Sequence, residues 1–262
     1  MTDEILTRSD DAGIATLTLN APASLNALSD AMIAALTAQF DALAGDRQTR
    51  VVILRGAGRA FCAGHDLREM QAARASADDG AAYFASLFDR CAAMMQMIPA
   101  LPQPVIAQTH GIATAAGCQL AASCDLVTAA TGTRFGVNGV NIGLFCSTPM
   151  VALTRKVPPA LAFEMLVTGD FIDAARAREA GLVNRISPPE TLEADTLALA
   201  RQIAGKLTAA VKIGKRAFYD QTGLPLAEAY AQTGRAMVEN MLWRDTDEGI
   251  SAFLEKRKPD WT

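Results

Sequence analysis

Thr109-His-Gly-Ile-Ala-Thr-Ala-Ala-Gly-Cys-Gln-Leu-Ala-Ala-Ser-Cys-Asp125 is the stretch from which the fold can be read. It follows Pro104-Val-Ile-Ala-Gln108, a short apolar run bounded by Pro102 and Pro104 that suits a buried strand better than a helix. Asp125-Leu-Val-Thr-Ala-Ala130 behind it is a second strand candidate. Between them the small residues of 116–123 predict a helix, so the order is strand, glycine-containing turn, helix start, strand. A helix start presents unpaired N–H groups and the positive end of the peptide dipoles, which favours a negatively charged oxygen. The small residues at 113–117 let a ligand approach the backbone. Tight packing of a helix on a sheet uses the same features, so this stretch alone leaves both readings open.

A second stretch has the same design: Val51-Val-Ile-Leu-Arg-Gly-Ala-Gly-Arg-Ala-Phe-Cys-Ala-Gly-His-Asp-Leu-Arg-Glu-Met70. A buried-type strand again leads through a glycine turn into a polar helix. Two such turns can offer one N–H each to a single carbonyl oxygen.

The remaining sequence bounds the class. A chain of 262 residues, 50% of them apolar, can build a large core. No apolar run reaches the ~18 residues of a membrane span. The polar start Met1-Thr-Asp-Glu lacks a signal-peptide layout, so the expectation is a soluble cytoplasmic protein without a membrane partner. A net charge of −4 without a basic cluster ahead of the tail argues against a nucleic-acid partner. Cys62, Cys91, Cys118, Cys124 and Cys146 form no CxxC pair and read as buried thiols in a reducing compartment. Only His65 and His110 are histidines, which excludes a histidine-rich metal site.

Along the chain, the alternation of 14–20 predicts a strand, and the apolar positions 32, 33, 36 and 40 predict a helix capped by Ser29 or Asp30. Residues 68–80 read as a mobile surface segment, and 81–98 as a helix ended by Pro99. The glycine- and asparagine-rich 133–149 is too irregular for one element and is expected to fold back near the two turns. Helical spacing recurs at 150–155 and 159–167, Asp173 caps a short helix, and 182–186 is a last strand. From 190 to 257 every segment reads as helix, the last one capped by Asp245 or Thr246. The division is an α/β core over 1–188 followed by a helical region over 189–262.

Phe61-Cys-Ala-Gly-His-Asp-Leu67, His110-Gly-Ile-Ala-Thr-Ala-Ala-Gly-Cys-Gln119, Cys124-Asp-Leu126, Phe135-Gly136, Thr168-Gly169, Ala180-Gly-Leu-Val183 and the tail Phe253-Leu-Glu-Lys-Arg-Lys-Pro259 together resemble the crotonase superfamily of enoyl-CoA hydratases and isomerases. The resemblance implies an α/β spiral of ββα units, a C-terminal helical region that makes trimers or dimers of trimers, and an acyl-CoA thioester as ligand. No cofactor is implied beyond coenzyme A as part of the substrate. By the same analogy, the N–H groups of His65 and Ala116 form an oxyanion hole for the enolate. Ser24, Leu25, Ala27, Ala63, Asp66 and Leu67 flank the nucleotide and pantetheine arm, and Lys256 or its basic neighbours pair with CoA phosphates. A solvated helix end is the competing reading of that tail.

The sequence departs from the family at its acid–base groups. Hydratases carry two glutamates, and the matching positions here are Gln119 and Gly139. Neither takes or gives a proton at neutral pH, and such groups are worth ~10²–10⁴ in rate each. Three readings follow. One is a hydratase-like lyase in which Gln119 orients water and His65, Asp66, Asn138, Asn141, Cys146 or Ser147 moves the proton; Ser147 reads equally as a turn former. The second is decarboxylation of a malonyl-type CoA, and the third is acyl-CoA binding without catalysis. The sequence as a whole is similar to the subgroup of enoyl-CoA hydratase domain-containing proteins.

Overall fold

The computed structural model describes residues 4–261. Strands β1 (Leu6–Asp11) and β2 (Ile14–Leu19) form an antiparallel hairpin, and helix α1 (Asp30–Ala44) follows, its Ser29 cap accepting from Met32 N at 3.2 Å. Then come β3 (Val51–Gly56), α2 (Leu67–Ala73) and α3 (Ala81–Ala100). The central segment holds β4 (Val105–Thr109), β5 (Ile112–Thr114), α4 (Ala116–Ser123), β6 (Leu126–Ala130) and β7 (Arg134–Gly136). Helices α5 (Pro149–Leu153) and α6 (Pro159–Thr168), strand β8 (Phe171–Asp173), helix α7 (Ala174–Glu179) and strand β9 (Arg185–Ser187) complete the α/β part. Four helices end the chain: α8 (Leu192–Ala204), α9 (Thr208–Gln221), α10 (Leu226–Met241) and α11 (Arg244–Leu254).

Strands β1-β2-β3-β4-β6-β9 make one sheet, parallel after the first hairpin, and β5-β7-β8 make a second. The chain alternates between them, β4 then β5, β6 then β7, so each repeat adds one strand to each layer before its helix. That is the spiral of ββα units which the resemblance implies. The second layer extends past β5 by single bridges, Cys62 with Ala113 and Leu28 with His65. The glycine turn after β3 is thus a shortened strand of the second layer.

The larger core lies between the sheets and α1, α3 and α4, with Leu17, Phe40, Leu54, Phe61, Leu87, Met94 and Phe135 buried. On the other face of the large sheet, Ile14, Val51, Ile53 and Ile106 pack against Leu199 and Ala200 of α8. Strands covered on both faces read as continuous apolar runs, as Val51-Val-Ile-Leu54 does.

Several local expectations need correction. The segment read as mobile begins with α2, because Asp66 caps it through Arg68 N (2.8 Å) and Glu69 accepts from Asp30 N at 2.8 Å. Helix α3 runs through Pro99 to Ala100. The cap residue of α11 is Trp243, without a side-chain bond, while Thr246 donates to the Asn240 carbonyl at 2.6 Å. Strands β5, β7 and β8 are three residues each, too short to display a period.

Candidate active site

The two glycine turns are neighbouring rungs of the second layer. Phe61 N donates to the carbonyls of His110 (3.0 Å) and Ile112 (3.1 Å), and Thr114 N donates to the Cys62 carbonyl at 3.1 Å. This pairing brings Gly64 against the start of α4: a β carbon on Gly64 would stand 3.3 Å from Ala116 N and 3.0 Å from Ala115 Cβ. Gly64 has φ +91°, which an L side chain disfavours. Ala115 has φ 49° and ψ −121°, a conformation that costs roughly 1–3 kcal/mol for a non-glycine residue. The strained residue, Ala115, therefore sits where the two backbones meet.

The directions of the two amides follow from peptide planarity. The Gly64 carbonyl accepts from Leu28 N at 2.7 Å, so the trans peptide turns the His65 N–H away from Leu28. The Ala115 carbonyl accepts from Gln119 N at 3.0 Å, the first bond of α4, which turns the Ala116 N–H out of the helix start. Among the described residues neither N–H has a protein acceptor.

Gln119 lies on the first turn of α4, and a helical side chain leans back toward its N-terminus. It is 5% exposed, and its Oε1 is buried without a hydrogen-bond partner. Thr114 Oγ1 donates to Asn138 Oδ1 at 2.5 Å, which ties the 133–149 segment to the same wall. Gly139 has no room for a side chain: a β carbon there would stand 2.2 Å from the Leu144 carbonyl and 2.8 Å from Cys146 Sγ. The Gly139 N–H donates to that sulfur at 3.3 Å, and burial pushes the Cys146 thiol up. Ser147 is exposed and its amide turns back onto the Phe145 carbonyl at 2.8 Å, as a turn former does.

The His65 imidazole does not point to solvent. It packs edge-on against Phe88, ring centroids 5.7 Å apart, with both nitrogens buried and without partners. Burial pushes its pKa down; the nearby Leu28 carbonyl and the Asp30 carboxylate pull the other way. A neutral ring with both nitrogens sealed from solvent is poorly placed to carry protons.

The residues expected to flank CoA gather beside the first turn. Ala63 N donates to the Leu25 carbonyl at 3.0 Å, and Leu28, next to Ala27, pairs with Gly64 and His65. Ser24 donates to the Ala21 carbonyl at 3.1 Å, and Leu67 is exposed at the start of α2 behind its Asp66 cap. Buried Asn26 holds this segment, donating to the carbonyls of Ala57 (2.9 Å) and Ala60 (2.8 Å). Lys256 sits apart, exposed beyond α11 at φ 56°.

Asp125 is a clamp. Its carboxylate accepts from Val105 N (2.6 Å), Lys215 Nζ (2.7 Å) and Tyr219 OH (2.8 Å), fixing α9 to the core. A backbone donor satisfies one side of the carboxylate, and a lysine supplies the opposite charge. Lys215 and Tyr219 carry no local signal, because both reach Asp125 only through the fold.

The sequence profile described as enoyl-CoA hydratase/isomerase matches residues 9–262. An enoyl-CoA hydratase from Mycobacterium smegmatis, 51% identical, superposes with a TM-score of 0.94 over 98% of each chain. Human enoyl-CoA hydratase domain-containing protein 3 is 42% identical with a TM-score of 0.93, over 98% of this chain and 100% of that one. The mitochondrial enoyl-CoA hydratase domain-containing protein 3 of Xenopus laevis is 44% identical over 250 residues, 95% of this chain and 83% of that protein. The chain therefore belongs to the crotonase superfamily of enoyl-CoA hydratases and isomerases, within the subgroup of enoyl-CoA hydratase domain-containing proteins.

Proposed function

We propose that the protein binds an acyl-CoA thioester and stabilises its enolate between the N–H groups of His65 and Ala116, as a hydratase-like lyase of fatty-acyl-CoA metabolism. The observation that carries this reading is the contact of Gly64 with the Ala116 nitrogen, combined with the two peptides whose carbonyls are already engaged. Donors fixed in this way need no reorganisation as charge grows on the thioester oxygen, and each is worth roughly 3 kcal/mol of transition-state stabilisation. Ser24, Leu25, Ala27, Ala63, Asp66 and Leu67 flank the nucleotide and pantetheine arm. Lys256 or its basic neighbours meet a CoA phosphate across a subunit boundary, and coenzyme A enters only as part of the substrate. The exposed Leu226, Tyr230 and Met237 of α10, Leu242 just past it, and Phe253 and Leu254 of α11 are assigned to contacts within a homotrimer or a dimer of trimers. Five buried free thiols fit a reducing compartment, which we take to be the cytoplasm.

Hydration under this reading is slow. Gln119 can orient the attacking water, but it cannot take its proton. Following the conjugated thioester absorbance of crotonyl-CoA tests the activity. Turnover above that of a Gln119→Ala variant supports hydration, and no turnover above it removes hydration.

The closed position at Gly139 favours a second reaction of the same site. In decarboxylation of a malonyl-type CoA the bond to the carboxylate breaks and carbon dioxide leaves. The electron pair moves onto the thioester oxygen between the two amides, and the enolate then takes a proton from water. No base is needed at position 139. Carbon dioxide release from methylmalonyl-CoA tests it; binding of thioesters without either product leaves an acyl-CoA binding protein.

A further inference from the structure

Of the two residues whose amides are assigned to the thioester oxygen, only His65 carries a side chain that changes charge near neutral pH. Its ring lies edge-on to Phe88, centroids 5.7 Å apart, and neither nitrogen reaches solvent or a partner among the described residues. A neutral ring tolerates that enclosure. An imidazolium has two donors and a full charge, which must find an acceptor.

The acceptors nearest the ring lie on one segment, the Leu28 carbonyl and the Asp30 carboxylate. Asp30 opens α1, pairs with Arg90 of α3 at 2.7 Å, and its N–H donates to Glu69 of α2 at 2.8 Å. Tyr83 of α3 lies in the field of both carboxylates, its hydroxyl buried and without a partner. Asp66, next in the chain, is occupied by Arg68 N at 2.8 Å. The same segment fixes the oxyanion donor: Leu28 N holds the Gly64 carbonyl at 2.7 Å, which sets the direction of the His65 N–H. A charged ring that pulls on Leu28 or Asp30 therefore acts on the peptide that carries this N–H. Gly64, at φ +91° and without a side chain, is the joint on which that peptide turns.

Resting on the thioester reading above, we propose that His65 is a pH gate on the oxyanion hole: protonation draws its ring from Phe88 toward Leu28 and Asp30, turns the Gly64–His65 peptide, and withdraws the N–H from the thioester. The neutral-ring form binds and the charged form does not, so the apparent affinity follows the neutral fraction. Burial favours the neutral ring, which puts the closing point below the ordinary value of 6.5. Affinity is level above that point and falls by up to about tenfold per pH unit below it.

Isothermal titration of the full chain with butyryl-CoA and its thioether analogue, from about pH 8 down to about pH 5, tests the gate. Ionisation of the CoA phosphates is common to both compounds and cancels in the ratio of their affinities. The chain has two histidines, so the ring protons of His65 are resolved from those of His110 by NMR. The thioester preference should fall to about unity with the same midpoint as the His65 signal, while far-UV circular dichroism stays unchanged. Asp30→Asn removes the acceptor carboxylate and should move both midpoints to lower pH together. A preference that stays constant while the His65 signal titrates overturns the gate, as does a ring that stays neutral down to pH 5. Acid unfolding at the same midpoint overturns it too, because the proton then belongs to the unfolded chain. In each of these cases a thioester preference at pH 8 leaves the thioester reading intact, whereas its absence at every pH overturns both. Should Asp30→Asn not fold, the two midpoints on the unaltered protein decide alone.

Discussion

Gly64 and Ala116, far apart in the chain, are backbone neighbours so close that a β carbon on the first would lie 3.3 Å from the nitrogen of the second. Gly64→Ala is therefore expected to lose about 1–2 kcal/mol of stability from its positive φ alone. The contact with the Ala115 methyl moves the two amides apart as well. Butyryl-CoA and its thioether analogue, which lacks the carbonyl, separate the effects. The unaltered protein should prefer the thioester, and the variant should lose that preference. Equal binding of both compounds by the unaltered protein would show that no oxyanion hole exists there.

Position 139 makes a contrasting case. Restoring a glutamate would look natural from the sequence, yet a β carbon there meets the Leu144 carbonyl at 2.2 Å. Gly139→Glu should cost roughly 1–3 kcal/mol or more, because a backbone carbonyl cannot yield as a flexible side chain can. No hydratase activity should appear with it. Urea denaturation and the crotonyl-CoA assay check both statements; a stable, active variant would mean that the 138–147 loop opens readily.

What was legible in the sequence follows the length and periodicity of each element. Val51–Gly56 and Ala116–Ser123 were readable because a continuous apolar run and a block of small residues announce themselves locally. The glycine turns were readable as a pair because each follows a buried strand. The second sheet was not, since its strands exist only through pairing with partners distant in sequence. The orientation of His65 was hidden for the same reason. Its neighbour Phe88 belongs to α3, and no local spacing links the two residues. At position 139 the sequence showed the missing carboxylate, but the lack of space depends on Leu144 and Cys146 folding back over it.

The buried imidazole of His65 predicts a pH dependence. Burial lowers its pKa in the folded protein below the unfolded value near 6.5. The native state therefore holds a neutral ring while the unfolded chain takes up a proton. This contribution to stability is complete above about pH 6.5 and is lost as the pH falls through the depressed folded value. The loss can reach about 1.4 kcal/mol per pH unit. His65→Phe, which keeps a ring against Phe88, should flatten the decline. Thermal melts of both proteins between pH 8 and pH 5 measure it, and parallel curves would show that His65 does not titrate differently on folding.

Asp125 and Lys215 set the attachment of the C-terminal helices. Their side chains are 14% and 6% exposed, and Lys215 Nζ also donates to the carbonyls of Ile98 (2.9 Å) and Gln103 (2.8 Å). Burial lowers the Lys215 pKa, and the carboxylate 2.7 Å away offsets part of that. Removing one member of such a pair leaves the other buried and unpaired, at about 3–5 kcal/mol. Asp125→Ala should therefore destabilise strongly. Lys215→Met should do so as well, because it also orphans two carbonyls. Hydrogen exchange distinguishes a local from a global effect: in Lys215→Met the amides of α9 should lose protection before those of β3 and β4. Uniform loss across the chain would mean that α9 unfolds only with the core.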